Sequence, residues 1–167
     1  DKRLAVQHLD AFRFLQQNKE FFDCVLIDLP DPHNEALSKL YSLEFYTLLA
    51  ERLNAGALVV TQSTSPLLTK ETFWSIGRTM QAVGFHVFRY KVNVPSFSGD
   101  WGFTLAKLTA PPPAAFAIPT EKTRFLSSKV MTAAAVFALD EQPQSALINT
   151  IFEPKLYLTY NREVSSW

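Results

Sequence analysis

Apolar residues along the chain alternate between short continuous runs and stretches with helical spacing, and this alternation predicts the order of elements. Arg3-Leu4-Ala5-Val6-Gln7-His8 is a short apolar run, and beyond Asp10 the apolar positions of Ala11-Phe12-Arg13-Phe14-Leu15 recur at helical spacing, so a strand leading into a helix is expected. Residues 21–28 form a continuous apolar stretch that stops at Leu29-Pro30-Asp31-Pro32, the pattern of a strand buried on both faces. A 3.6-residue period over 43–53 predicts a helix closed at Asn54-Ala55-Gly56. Residues 57–62 read as the next buried strand, and 71–83 as an amphipathic helix ended by Gly84. Residues 85–94 predict a strand that turns at 95–100 and returns over 101–108, an antiparallel hairpin with a longish loop.

The order β-α-β-α-β-α-β-β implies an α/β fold: a Rossmann-like, mostly parallel sheet with helices on both faces and an antiparallel hairpin at one edge. Residues 1–109 are expected to form this unit. Ala110-Pro111-Pro112-Pro113 opens a stiff Pro-rich linker over 110–120. Residues 121–167 read as a C-terminal helical appendage packed on the core, with an alanine-rich helix over 127–139, a break at Pro143, and an apolar stretch over 147–160 interrupted by Asn149 and Pro154. The chain opens at Asp1-Lys2-Arg3 without an initiator methionine, and is expected to be a piece of a longer protein.

Composition narrows the function classes. Of 167 residues, 47% are hydrophobic and 19% charged, which excludes a disordered chain. The 16 basic residues balance 16 acidic ones, so there is no electrostatic case for nucleic acid or an anionic membrane surface. The single cysteine, Cys24, excludes an internal disulfide framework and, set in an apolar strand, is expected to be an inert core residue. His8, His33 and His86 lack metal-ligand spacing, and no metal is expected.

Ligands of open parallel sheets bind beyond the carboxyl ends of the strands, and polar residues are expected to gather there. Asp10 would follow the first strand, Asp28 and Asp31 the second, Gln62 and Ser63 the third. Two prolines keep the carboxylates of Asp28 and Asp31 close together, and such a pair suits a cation: one can hold an ammonium group while the other takes a proton from an attacking amine. Phe97 and Trp101, at the hairpin turn, could wall a pocket at the same sheet end. Plainer readings stand beside these: Asp10 as the N-cap of the helix beginning at Ala11, the Asp-Pro segment as turn chemistry, Gln62 as a loop pin.

Asp28-Leu29-Pro30-Asp31-Pro32, followed by Leu40-Tyr41-Ser42-Leu43-Glu44-Phe45-Tyr46 and by Val94-Pro95-Ser96-Phe97 and Trp101-Gly102-Phe103, resembles the spermidine synthase (polyamine aminopropyltransferase) family. The likeness is greatest to its bacterial branch with a membrane-spanning N-terminal region. It implies a methyltransferase-type fold, truncated here on its N-terminal side. It also implies transfer of an aminopropyl group from decarboxylated S-adenosylmethionine, a co-substrate rather than a tightly bound cofactor, to putrescine or a related amine. By the same resemblance Asp28 is the catalytic base, Asp31 holds the amine, Gln62 lines the amine site, and Phe97 stands where many members carry a tyrosine, while Trp101, as a wall of the pocket, is expected to bind substrate beside it. Asp10 and Pro32 fall on the adenosine side. The family's Gly-Gly-Gly-Asp-Gly loop is not in this sequence, so the chain is expected to be the C-terminal catalytic portion and inactive alone. A polyamine as small-molecule partner, a homodimer, a membrane anchor upstream, and a place in the cytoplasm or on the cytoplasmic face of the inner membrane are implied in the same way. Two other readings remain open: methyl transfer from S-adenosylmethionine, and a non-catalytic polyamine-binding or assembly module.

Overall fold

The computed structural model describes residues 1–97, 99–111, 123–143 and 145–167. The Asp10 carboxylate accepts from the Arg13 N–H at 2.9 Å and starts helix α1 (Ala11–Gln17). Strand β1 (Phe22–Ile27) follows, then the short helix α2 (Glu35–Ser38), capped by Asn34, and helix α3 (Leu43–Ala50), capped by Ser42. Strand β2 (Leu53–Gln62), helix α4 (Lys70–Val83) and the hairpin of β3 (His86–Val94) and β4 (Gly99–Lys107) complete the α/β unit. Gly84 ends α4 with φ 108°, a left-handed conformation that glycine adopts without steric cost. Helices α5 (Ser128–Ala134) and α6 (Leu156–Val164) lie in the tail.

The four strands form one sheet in the order β1-β2-β4-β3. β1 and β2 are parallel, and β4 runs antiparallel to both β2 and β3. The returning strand of the hairpin therefore sits between β2 and β3. Val59, Ala106, Leu15, Phe45, Tyr46, Leu49, Ile76, Met80 and Leu156 share one buried cluster, so α1, α3, α4 and α6 cover a single face of the sheet. The opposite face meets α5 alone among the described helices, across a groove of about 620 Å³ lined by Leu58, Val60, Tyr90, Leu105, Val130 and Met131. Helices on both faces are present, but very unequally.

Several sequence expectations change. No strand forms over residues 3–8: Leu4, Val6 and Leu9 are exposed, and among the described strands β1 pairs only with β2. A strand without a neighbour leaves its backbone groups to water, and nothing here holds it extended. Among the described strands β1 lies at the edge of the sheet, and it is not buried on both faces. Leu26 is 75% exposed, and Cys24 is an exposed thiol rather than an inert core residue. Their register partners, Leu58 and Val60, mark the thinly covered face. Asn54-Ala55-Gly56 does not stop a helix: α3 ends at Ala50, and the three residues form a bulge in β2 between the pairs Phe22↔Leu53 and Cys24↔Leu58, where Gly56 takes φ 83°.

The alanine-rich helix is shorter than expected. After α5 the chain turns so that Phe137 packs on Phe73 and Trp74 while Glu141 reaches Lys91. The stretch 147–160 is helical only from Leu156, because Asn149 uses its side chain to bind backbone groups of other segments. Of the expected Pro-rich linker, residues 112–120 lie outside the described ones. Among the described residues no helix is long and apolar enough to cross a membrane.

Candidate functional site

β1 and β2 run side by side with Ile27 opposite Thr61, so Asp28 and Gln62 leave the sheet at the same carboxyl end. Gln62 also faces Phe103 on β4, which brings Trp101 and the preceding turn Pro95–Phe97 to that end. The result is an open cavity of about 470 Å³ lined by Asp28, Leu29, Pro30, Asp31, Gln62, Phe97 and Trp101. The three polar candidates for amine chemistry, Asp28, Asp31 and Gln62, meet there with both aromatic candidates. Phe97 and Trp101 pack with ring centroids 4.8 Å apart. The Trp101 indole N–H is buried and has no hydrogen-bond partner among the described residues.

Asp28 and Asp31 differ in how they are held. Asp28 is exposed and accepts no hydrogen bond from the described residues. Asp31 is half-buried: its Oδ1 accepts from Gln62 Nε2 at 2.9 Å and its Oδ2 from the Tyr160 hydroxyl at 2.9 Å. Gln62 Nε2 also donates to the Leu29 carbonyl at 2.9 Å, while its Oε1 accepts from the Thr64 N–H. Every polar atom of this buried amide except its second lone pair is thus engaged in fixing the loop.

The loop Leu29-Pro30-Asp31-Pro32 is short of backbone donors because two of its residues are prolines, and its carbonyls need partners from elsewhere. Tyr41 supplies one: its single hydroxyl hydrogen is shared between the Leu29 carbonyl at 3.2 Å and the Pro30 carbonyl at 3.0 Å. Burial raises the Tyr41 pKa well above the ordinary tyrosine value, helped by neighbouring Tyr46 and by the negative charges of Asp31 and Asp28, so the phenol stays a donor. The rest of the Leu40-Tyr41-Ser42-Leu43-Glu44-Phe45-Tyr46 motif is scaffolding for this prop. Ser42 caps α3, Glu44 accepts from the Ile151 N–H at 2.9 Å, and Phe45 and Tyr46 fill the core.

Beyond Gln62 the backbone is strained. Thr64 has φ 67°, which a β-branched residue rarely adopts. It is pinned by Gly102, whose N–H donates to the Thr64 carbonyl at 2.7 Å and whose carbonyl accepts from the Ser63 N–H at 2.8 Å. A Cβ at Gly102 would lie 2.4 Å from the Phe73 ring and 2.9 Å from the Thr64 carbonyl oxygen, so only glycine permits this approach.

Two candidates stand apart. Asp10 caps α1 and lines a separate hollow with Phe12, Arg13, Leu40 and Ile151, and Pro32 is buried behind the loop. Two residues that hold the loop of this cavity escape a reading of sequence alone. Tyr41 belongs to the Leu40–Tyr46 motif, but nothing local reveals that it props the Asp-Pro loop. Tyr160 lies 129 residues from Asp31. Its signal was the spacing of Leu156, Thr159, Tyr160 and Glu163, the i, i+3, i+4, i+7 stripe of a helix face turned inward.

Residues 1–119 match a family model described as the spermine/spermidine synthase domain. The polyamine aminopropyltransferase 1 of Streptomyces coelicolor is 40% identical over 155 residues, covering 92% of this chain and 29% of that protein. The polyamine aminopropyltransferase of Oceanobacillus iheyensis is 37% identical over 166 residues, 97% of this chain and 32% of its own length. That of Mycobacterium tuberculosis is 44% identical over 139 residues, 81% of this chain and 26% of its own. The chain thus spans less than a third of the length of these curated relatives. Among solved structures, a spermidine synthase in complex with the transition state analogue AdoDATO superposes with a TM-score of 0.67 at 19% identity, over 77% of this chain and 46% of that one. Spermidine synthase from Thermotoga maritima gives 0.57 at 15% identity, over 78% and 44%. These two likenesses show the fold.

Proposed function

Because the chain belongs to the spermine/spermidine synthase domain family, we propose that it carries the amine half of the active site of a polyamine aminopropyltransferase. In this reading the reaction moves an aminopropyl group from decarboxylated S-adenosylmethionine to putrescine or a related amine. The observation that supports it is the division of labour between two carboxylates on one cavity: Asp31 clamped by two donors, Asp28 exposed and accepting from none of the described residues.

The chemistry calls for such a pair. Free alkylamines have a pKa of about 10, so the attacking nitrogen must lose a proton near neutral pH. As that nitrogen forms its bond to the methylene carbon, the carbon–sulfur bond breaks, the sulfonium becomes the neutral thioether of methylthioadenosine, and the surplus proton passes to Asp28. Asp31 and Gln62 hold the amine in line, and Phe97 and Trp101 exclude water from its methylenes. Asp10 and Pro32 are assigned to the adenosine side. The domain organisation proposed is the C-terminal part of a Rossmann-like catalytic domain over 1–109, a linker over 110–120 and a packed appendage over 121–167. The whole protein would act as a homodimer in the cytoplasm or, given the resemblance to the membrane-fused branch, on the cytoplasmic face of the inner membrane.

Steady-state kinetics of Asp28→Asn and Asp31→Asn, made in the full-length protein, test the assignment. Asp28→Asn is expected to lower kcat by about 10²–10⁴-fold, the range for loss of a general base, with a small change in amine KM. Asp31→Asn is expected to act chiefly on amine KM. Equal and small effects at both positions would overturn it.

A further inference from the structure

We infer that Tyr160 is a positioning residue for amine recognition, acting through the Asp31 carboxylate, so that the C-terminal helix α6 is part of the active site; the inference rests on the aminopropyltransferase reading. A carboxylate on a loop can rotate about its Cβ–Cγ bond, and one donor on one oxygen leaves that rotation partly open. Gln62 donates to Oδ1 and Tyr160 to Oδ2, each at 2.9 Å, so the carboxylate plane is fixed from two sides. Each oxygen can accept more than one hydrogen bond, so capacity remains on both for an ammonium group in the cavity. Burial, with the hydrogen bond to Asp31 and its charge, raises the Tyr160 pKa, which keeps this phenol a donor across the physiological range.

The helix that presents Tyr160 is held firmly enough to place it. Asn161 Nδ2 donates to the His33 carbonyl at 3.0 Å, tying α6 to the far end of the same Asp-Pro loop. Glu163 accepts from the Glu71 N–H at 2.7 Å, the Thr72 N–H at 3.1 Å and the Thr72 hydroxyl at 2.7 Å, capping α4 from another segment, while Thr69, its own N-cap residue, makes no side-chain cap. Leu156 is fully buried in the shared core. Tyr160 is therefore carried on a rigid element anchored on both sides of it, which is how a side chain remote in sequence can hold another to a few tenths of an ångström.

The test is a double-mutant cycle of Tyr160→Phe and Asp31→Asn in the full-length protein, with amine KM, nucleoside co-substrate KM and kcat measured for each. Phenylalanine keeps the ring and removes only the donor. The expected result for Tyr160→Phe is an amine KM raised about tenfold, in line with loss of one hydrogen bond to a charged group, with kcat and co-substrate KM within about threefold of wild type. In the Asp31→Asn background the same substitution should change amine KM by less than twofold, because the group it acts through is already altered. Additive effects in the cycle, or a fall in kcat at constant amine KM, would overturn the inference. If the wild-type protein transfers no aminopropyl group, the functional reading fails separately, and calorimetric titration of putrescine into the same four proteins decides the Tyr160 inference by the same non-additivity in Kd.

Discussion

Asn149 is fully buried, and replacing it with alanine should destabilise the protein by about 3–5 kcal/mol. The magnitude follows from its partners. Its Nδ2 donates to the Ser38 carbonyl at 2.8 Å and the Tyr41 carbonyl at 3.3 Å, and its Oδ1 accepts from the Ser38 hydroxyl at 3.3 Å and the Leu156 N–H at 3.2 Å. The alanine variant keeps the backbone bonds to Leu43 and Thr79 but strips the amide from two carbonyls and from a helix N-terminal N–H at a buried site. Each unsatisfied buried group costs about 1–3 kcal/mol, and a water entering the vacated space would recover part of it. Because Asn149 joins the segment bearing Tyr41 to the start of α6, the damage should also reach the Asp31 clamp and raise amine KM. Asn149→Asp should be worse than alanine at pH 7, since a carboxylate would face two carbonyl oxygens with nothing to donate. Equilibrium urea denaturation, followed by tryptophan fluorescence, measures the effect. A loss below about 1 kcal/mol for the alanine variant would refute the view that this amide ties the tail to the 38–41 segment.

Two further outcomes are expected. Gly102→Ala should cost about 1–3 kcal/mol through overpacking against Phe73 and the Thr64 carbonyl, and should weaken amine binding because Gln62 lies next to the displaced segment; thermal melting and amine KM together check it. Burial raises Tyr41 and Tyr46 above the ordinary tyrosine pKa of 10.0, so the native state holds protons that the unfolded chain releases: that stability is complete below pH 10 and is lost as the pH rises beyond it. Burial of Tyr160 and Tyr90 acts in the same direction and burial of Arg89, which lowers its pKa to about 10, acts against it, so the tyrosines prevail and denaturation curves should show lower stability at pH 11 than at pH 9.

The α/β order, the hairpin and the gathering of Asp28, Asp31, Gln62, Phe97 and Trp101 were legible because each depends on local signals. Buried parallel strands read as apolar runs, and whatever follows them lies at the ligand-binding edge. What was not legible depends on partners distant in sequence. Residues 3–8 have the composition of a strand, but a strand exists only beside another one, and Cys24 is in an apolar run whose outer face the described helices leave uncovered. Gly56 has the same chemistry at a helix stop and at a bulge, and the register of β1 against β2 decides between them. Tyr160 and Asn149 act across more than a hundred residues of chain, on groups whose need for a donor arises only once the Asp-Pro loop and the 38–41 segment are folded.

The central claim is most directly tested by the nucleoside product. The full-length protein is offered putrescine with decarboxylated or ordinary S-adenosylmethionine, and products are identified by mass spectrometry. The account predicts methylthioadenosine and spermidine in equal amounts from the decarboxylated co-substrate alone. S-adenosylhomocysteine from the ordinary one would contradict it in favour of methyl transfer, and putrescine binding without any product would contradict it in favour of a non-catalytic module.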